Sequence, residues 1–517
     1  MTASIPVSTS TDRDRPQVAP LNLPPCLLLG PGPSNAHPAV LQSMALQPLG
    51  HLDPRYLTIM DEVQTLLRYA WQTKNEMTIS VSGAGSAAME ATLANVVEPG
   101  DRVLVGVMGY FGHRLVNMAG RYGAQVSTMT TDWGKAFTLD EIRAALAAHR
   151  PQVLCLVHAE TSTGVRQPLA GVSALCREFD CLLLVDTVTS LGGVPLKLDE
   201  WGVDLAYSCG QKGLSAPPGI SPLTFSDRAL EKVMRRRTPV ANWYLDINLL
   251  GKYWGSDRVY HHTAPVNMNY ALREALRLVA EEGLATRWQR HQTQAERLWN
   301  GLADLGLTCH VDPEIRLPTL TTVRIPAGIN GKAVQQQLLQ RYNIEIGGGL
   351  GDLAGQVWRI GLMGYNSREE NVTLLLAAPL MRRDLLLAVE GRMPSAPYLD
   401  LTEDVLRHFG AVVDVSDDRR VWRVKASPLD FTTYEVETDW SAAAFVFAAV
   451  GVAGGDVRIN RLARNSRQGD RAVAEILAQG GLELSSAGNG LRLAGSVNAP
   501  FRADLEDTPD LFPALSV

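Results

Sequence analysis

Short apolar runs and helix-like stretches take turns along the first half of the chain, and no other feature constrains the fold as tightly. DRVLVGV (101–107), QVLCLVH (152–158) and CLLLVD (181–186) are strand-length and apolar, while TLDEIRAALAAH (138–149) and PLAGVSALCREF (168–179) carry helical spacing. Such alternation predicts an α/β domain with a mostly parallel sheet covered by helices. After Tyr270 the pattern changes: a long amphipathic stretch (271–306) leads into LPTLTTVRI, GKAVQQQLLQRYN, IEIGGGL and VWRIGLMG. This reads as a smaller α+β domain packed on the first, with Arg359 in its last strand and a site between the two, a common place for pockets.

At 517 residues the chain exceeds the size at which a single core stops growing. The pattern divides it into an N-terminal segment (1–20) expected to be disordered, a large domain (21–270), a small domain (271–389) and a tail (390–517). A net charge of −6 argues against nucleic acid as a partner, since phosphate contacts need clustered Lys and Arg. The run Arg235–Arg237 is read as a solvated loop or helix face. Six cysteines show no C-x-x-C spacing and no pairing with histidine that suggests a metal, which fits a reduced compartment. Residues 1–20 lack the apolar core of a signal peptide, no run of about eighteen apolar residues suggests a membrane span, and the final LSV is not a peroxisomal address, so the expected location is cytoplasmic.

The segment YSCGQKGLSAPPG (207–219) sets Lys212 among Ser208, Cys209, Gly210 and Gly213 after an apolar stretch. A lysine in a low-dielectric, sterically open setting exists as a free amine and condenses with an aldehyde; the plainer alternative is a solvated surface lysine. CLLLVDTVTSLGG ends its apolar run in Asp186, a residue type depleted in strand interiors. Against pyridoxal phosphate that carboxylate would pair with the pyridine nitrogen and keep it protonated; against backbone it would cap a turn through Val188 or Thr189.

MTISVSGAGSAAMEATLANVV (77–97) reads as a strand, a turn at Gly83 and Gly85, and a helix opening near Ser86, so backbone N–H groups and the helix dipole converge on an anion. The same letters spell G-x-G-x-x-A through Gly83, Gly85 and Ala88, which makes a dinucleotide-binding unit the competitor. That unit wants an acid at the end of the next strand. DRVLVGVMGYFGHR ends in Met108, Gly109, Tyr110 and Phe111 instead, and the aromatic pair offers a flat face for a ring.

Over residues 20–385 the chain resembles the class V aminotransferases of fold type I, of the alanine-glyoxylate (serine-pyruvate) kind. LLLGPGPSN, SGAGSAAMEA, HAETSTGVRQPL, CLLLVDTVTSLGG, GQKGLSAPPG, YHHTAPV, EIGGGLG and VWRIGLMGYN carry the resemblance, in the family's order. It implies a pyridoxal phosphate transaminase moving the amino group of alanine or serine to glyoxylate or pyruvate. Lys212 would bear the cofactor and shuttle protons, with Asp186 as the pyridinium partner. Ala84, Gly85, Ser86 and Gln211 would surround the phosphate, with Thr161 beside the ring and Phe111 on its face. Tyr260 and Thr263 would come from a neighbouring subunit, which implies a homodimer with shared active sites. Arg359 falls where the family binds the substrate carboxylate, a task suited to a planar guanidinium fork. Phe111 stands where close relatives often carry tryptophan, and Ser86 where they carry histidine. A second class V activity, cysteine desulfurase, needs a mobile nucleophilic cysteine late in the chain, and the only cysteine after Cys209 is Cys309 in LTCHV.

The tail resembles part of 3-phosphoshikimate 1-carboxyvinyltransferase through SAPYLDLT, YEVETDWSAAAFVFAA, NSRQGDRAVAEIL and DTPDLFPALSV. The resemblance would place Ser395 and Tyr398 at shikimate phosphate and make Asp510 an acid/base. The family's N-terminal Lys-Ser motif and its later Arg and Lys clusters are not found, and without cations a site cannot stabilise dianionic substrates. The expectation is a partial α/β repeat module with a βαβ layout, truncated and inactive; enolpyruvyl transfer or a vestigial binding role are its alternatives.

Overall fold

Seven strands build the central sheet of the computed structural model: β1 (Met77–Ser82), β2 (Arg102–Val107), β3 (Gln125–Thr130), β4 (Val153–Val157), β5 (Leu182–Asp186), β6 (Leu205–Tyr207) and β7 (Ile220–Phe225). The structure describes residues 18–21, 26–368, 385–389, 396–425, 433, 436–505 and 508–515, without the side chains of 341, 342, 385 and 509. The strand order is β1-β7-β6-β5-β4-β2-β3. Every pairing from β6 to β3 is parallel, and β7 runs antiparallel to both β1 and β6. Every residue of β4 and β5 is buried, as a parallel sheet covered on both faces requires.

The helices around it are α1 (Pro54–Trp71), α2 (Gly85–Val96), α3 (Tyr110–Arg121), α4 (Leu139–His149) and α5 (Val172–Glu178). Local chemistry starts α4: the Thr138 hydroxyl accepts from Glu141 N, and the Glu141 carboxylate accepts from Thr138 N at 2.7 Å. The sheet order settles the dinucleotide alternative. In a dinucleotide unit the glycine-rich strand pairs with the strand that follows its helix, whereas here four strands separate β1 from β2.

The long amphipathic stretch after Tyr270 forms two helices, α6 (Val266–Glu282) and α7 (Leu284–Asp304), because Gly283 at φ +78° breaks the helical path. α8 (Gly331–Tyr342) ends on Asn343 in the left-handed region. Strands β8 (Leu320–Arg324), β9 (Gly347–Gly348) and β10 (Val357–Gly361) form an antiparallel sheet in the order β8-β10-β9. Hydroxyls tie it to the loops of the large sheet: Thr319 donates to Thr189 O at 3.1 Å and Thr322 to Thr163 O at 2.6 Å.

The chain separates into units at Arg368/Glu369. The second unit holds two sheets of the same plan. Strands β11 (Leu385–Ala388), β12 (Val413–Val415) and β13 (Val421–Val424), with helix α9 (Ala396–His408), give the order β11-β13-β12. Strands β14 (Gly455–Asn460), β15 (Glu483–Ala487) and β16 (Gly490–Gly495) repeat it as β14-β16-β15; α10 (Trp440–Ala453) precedes them and α11 (Ala472–Gln479) follows β14. In both, a third strand lies antiparallel between the two that flank the helix, so the expected βαβ layout is split. β11 pairs with β13 and lies ahead of the 389/390 boundary read from composition. Residues 1–17 of the N-terminal segment, and Ser395, lie outside the described residues.

Candidate active site

The loop after β6 carries Lys212 and is pinned on both sides. Ser208 N donates to Pro222 O at 2.9 Å and the Ser208 hydroxyl to Thr187 O at 3.0 Å. At Gly213 a Cβ would lie 2.3 Å from Leu191 O, so only glycine fits. Residues Pro31–Ser34 wrap the opposite side: Lys212 Nζ donates to Pro31 O, the Ser34 hydroxyl to Lys212 O at 2.8 Å, and Ser34 N to Gln211 O at 2.9 Å. Gly32 sits at φ +108°, and a Cβ there would come within 2.7 Å of Nζ. Burial pushes the pKa of Lys212 down and the Arg359 cation adds to this, against the Cys209 thiol and Asp186.

Asp186 ends β5. Its Oδ1 accepts from Val188 N at 2.8 Å and its Oδ2 from the Tyr207 hydroxyl at 2.7 Å, so the turn cap through Val188 exists and the carboxylate is also held from β6. Burial raises its pKa to about 6, against those two bonds and the Lys212 and Arg114 cations. A buried carboxylate of this kind gains most from a cation placed against it.

Helix α2 starts at Gly85, one residue ahead of the expected Ser86, with Ala84 as its N-cap. The Cβ position of Gly85 is 3.2 Å from Cys209 Cβ and 3.3 Å from Val188 Cγ2, so the glycine turn, the Asp186 loop and the Lys212 loop meet. First-turn N–H groups lack intrahelical partners and attract anions. Arg114 of α3 donates to the Ser86 hydroxyl at 3.0 Å and lies 4.8 Å from the Phe111 ring centroid. Gln211 Oε1 is buried without a partner.

Phe111 lies in the first turn of α3, where its N–H donates to Glu160 Oε2 at 3.1 Å. Thr161 is buried, and its carbonyl accepts from Arg359 Nη1 at 3.3 Å; Arg359 Nε donates to Gly348 O at 2.6 Å. Arg359 is 6% exposed, and burial lowers its pKa to about 10 against the Glu160 carboxylate. Tyr260 and Thr263 are exposed, and Tyr260 lies 5.2 Å ring to ring from His51; among the described hydrogen bonds and ring contacts neither reaches the Lys212 loop. Sequence reasoning missed the Pro31 carbonyl, Arg114, Glu160 and Tyr207. Arg114 alone had a local signal, three residues after Phe111 and so on its helix face.

Residues 27–375 match the family Aminotransferase class-V. The chain belongs to the class-V aminotransferases. The cofactor of this aminotransferase is pyridoxal phosphate. The alanine–glyoxylate aminotransferase of Mus musculus is 49% identical over 357 residues, 68% of this chain and 86% of that protein. The (S)-ureidoglycine–glyoxylate transaminase of Bacillus subtilis is 39% identical over 401 residues, 74% of this chain and 96% of that protein. The crystal structure of an alanine–glyoxylate aminotransferase from Nostoc sp. superposes with a TM-score of 0.69 at 68% identity, covering 72% of this chain and 97% of that one. Residues 367–517 match EPSP synthase (3-phosphoshikimate 1-carboxyvinyltransferase).

The aminotransferase site fits the cofactor in two respects: a buried carboxylate favoured by a cation, and an amine with a lowered pKa. Cys309 is half-buried and desolvation raises its pKa, the reverse of a nucleophile's need. Arg236 donates to Asn95 O and Val97 O at 2.8 Å, so this part of the basic run closes the end of α2 rather than facing solvent. Among the described residues no cluster of His, Cys, Asp and Glu is arranged to hold a metal, and no helix is long and apolar enough to cross a membrane. In the second unit Tyr398 is hydrogen-bonded to Asp510, and burial together with Asp470, Asp510 and Asp439 pushes its pKa up.

Proposed function

We propose that the aminotransferase moves the amino group of alanine or serine to glyoxylate or pyruvate, in a cytoplasmic homodimer. The observation that carries this reading is the convergence of a desolvated amine, a buried carboxylate and a buried guanidinium: Asp186 and Arg359 both act on Lys212. Pyridoxal phosphate, when bound, supplies an electron sink that stabilises negative charge on the amino acid's Cα. Lys212 Nζ would take the proton from that carbon of the amino donor and, in the second half-reaction, give a proton to the corresponding carbon of the oxo acid acceptor; its lowered pKa keeps a neutral fraction available. Asp186 holds positive charge on the ring nitrogen. The α2 N-terminus, with Ala84, Gly85, Ser86 and Gln211, holds the phosphate, while Thr161 and Phe111 flank the ring and exclude water from it. Arg359 takes the substrate carboxylate in a two-pronged contact. Tyr260 and Thr263, exposed on one subunit, complete the phosphate site of the other.

Glyoxylate recurs in the names of both curated relatives while the amino donor differs, which favours glyoxylate as acceptor. Alanine and serine differ by a hydroxyl that a pocket rejects poorly. A screen of alanine, serine and (S)-ureidoglycine against glyoxylate and pyruvate tests the reading: turnover with alanine or serine supports it, and turnover with ureidoglycine alone overturns the donor. Arg359→Lys raises KM for donor and acceptor together by about tenfold, because a point charge keeps the attraction and loses the paired geometry. Unchanged KM for both would place Arg359 outside the pocket.

We further propose that the second unit makes no enolpyruvyl transfer, since a phosphorylated substrate at Tyr398 would meet Asp439, Asp470 and Asp510. A chain ending before Leu385 then keeps full transaminase turnover, as every residue assigned to the cofactor lies at or before Arg359 and β11 pairs with the second unit. Loss of the soluble oligomer on truncation, seen by light scattering, would show the tail to be structural. Phosphate release from phosphoenolpyruvate and shikimate 3-phosphate would show it to be an enzyme.

A further inference from the structure

Glu160 is fully buried, in a tight hairpin where Ala159 and Glu160 pair with Arg166 and Val165. Its Oε1 accepts from Ser162 N at 3.0 Å and the Ser162 hydroxyl at 2.6 Å, and its Oε2 accepts from Phe111 N at 3.1 Å. The Ser162 oxygen in turn accepts from Tyr110 N at 2.9 Å, so both residues that open α3 hang on this hairpin. The approach is close enough to demand glycine at the N-cap: a Cβ on Gly109 would lie 2.5 Å from both Glu160 Cδ and Ser162 Oγ. Between Glu160 and Ser162 stands Thr161, whose carbonyl holds Arg359. The charged groups facing the carboxylate are Asp186 from β5 and Arg359 from β10.

We propose that Glu160 is a positioning residue of the transamination site: its carboxylate fixes the turn that presents Phe111 and, through Thr161, the seat of Arg359. The ring-stacking face and the carboxylate-binding guanidinium are thereby set by one side chain. This rests on the transaminase reading above. Burial raises the pKa of Glu160 to about 7, with Asp186 adding and the Ser162 and Phe111 bonds opposing. The ionised form is the one that accepts all three bonds, so the arrangement loosens as pH falls below about 7.

Glu160→Gln keeps the volume but turns an NH2 donor toward an N–H or O–H donor. In the full chain, pyridoxal phosphate titrated by fluorescence should bind about tenfold more weakly to E160Q, a loss in the range for one unsatisfied buried polar group. KM for amino acid and oxo acid should rise together while kcat falls less, and the onset of the weakening of cofactor binding with falling pH should move from about 7 in the wild type toward the Asp186 titration at about 6. Because Glu160 and Ser162 hold the start of α3 together, adding Ser162→Ala to E160Q should do less harm than Ser162→Ala does alone. A folded E160Q with wild-type cofactor affinity, KM and pH profile, or one changed only in melting temperature, overturns the proposal. Should E160Q fail to fold, Ser162→Ala alone carries the test: smaller rises in the same constants support the proposal and unchanged constants overturn it. A wild-type chain that takes up no pyridoxal phosphate sinks the transaminase reading itself, which separates the two failures.

Discussion

Lys212→Ala lowers transaminase turnover by roughly 10²- to 10⁴-fold, the range that a positioned proton-transfer group contributes. The lysine side chain is held by Pro31 and shielded by Gly32, while its backbone carbonyl is held by Ser34. Alanine therefore removes the amine and leaves the loop's backbone bonds in place. The variant should melt close to the wild type, and a small primary amine added in solution should restore part of the rate by entering the vacated space. Borohydride reduction of the cofactor-loaded wild type, followed by peptide mapping, should place the label on Lys212. A label on another lysine, or turnover within a few-fold of normal in the variant, would end the assignment.

Asp186→Asn slows turnover by more than about a hundredfold. Leaving one partner of a buried charge pair alone costs about 3–5 kcal/mol, and most of that falls on the reaction because without the carboxylate the ring nitrogen is no longer held protonated and the ring accepts electrons from the substrate less readily. Near-normal turnover would reduce Asp186 to the turn cap it makes with Val188. The cofactor-free protein gives an independent reading. The Asp186 carboxyl titrates at about 6 in the folded chain against an ordinary 3.8, so the folded state holds this proton more tightly than the unfolded one. That contribution is fully present below about pH 4 and is lost as pH rises through about 6. It amounts to about 3 kcal/mol. Wild-type stability relative to the Asn variant should fall across that window. A difference independent of pH would mean that Asp186 is not desolvated.

Much of the site was legible because its signals are local. An apolar run ending in an acid pointed to Asp186, a lysine among small residues pointed to Lys212, and a strand followed by Gly-x-Gly pointed to the helix N-terminus near Ser86 proposed as the anion cradle, which the structure opens at Gly85. The dinucleotide alternative had the same glycine letters; the missing acid after β2 spoke against it in the sequence, and the edge position of β1 beside β7 decides it independently, since strand order is a property of the whole sheet. Amphipathic spacing continues across Gly283 without a break, and only the backbone conformation there makes two helices of the stretch.

The residues that went unread are joined across long stretches of chain. Pro31 meets Lys212 over 181 positions, Arg359 meets Thr161 over 198, and Phe111 meets Glu160 over 49. Periodicity and composition report which residues avoid water and which turns are permitted, so the amino-acid order alone settled the layered α/β architecture and the chemistry on offer at Lys212 and Asp186. How buried each group is, and therefore which way its pKa moves, depends on segments that meet only when the sheet has closed. Desolvation is a property of packing, and packing made Asp186, Glu160, Lys212 and Arg359 one electrostatic unit.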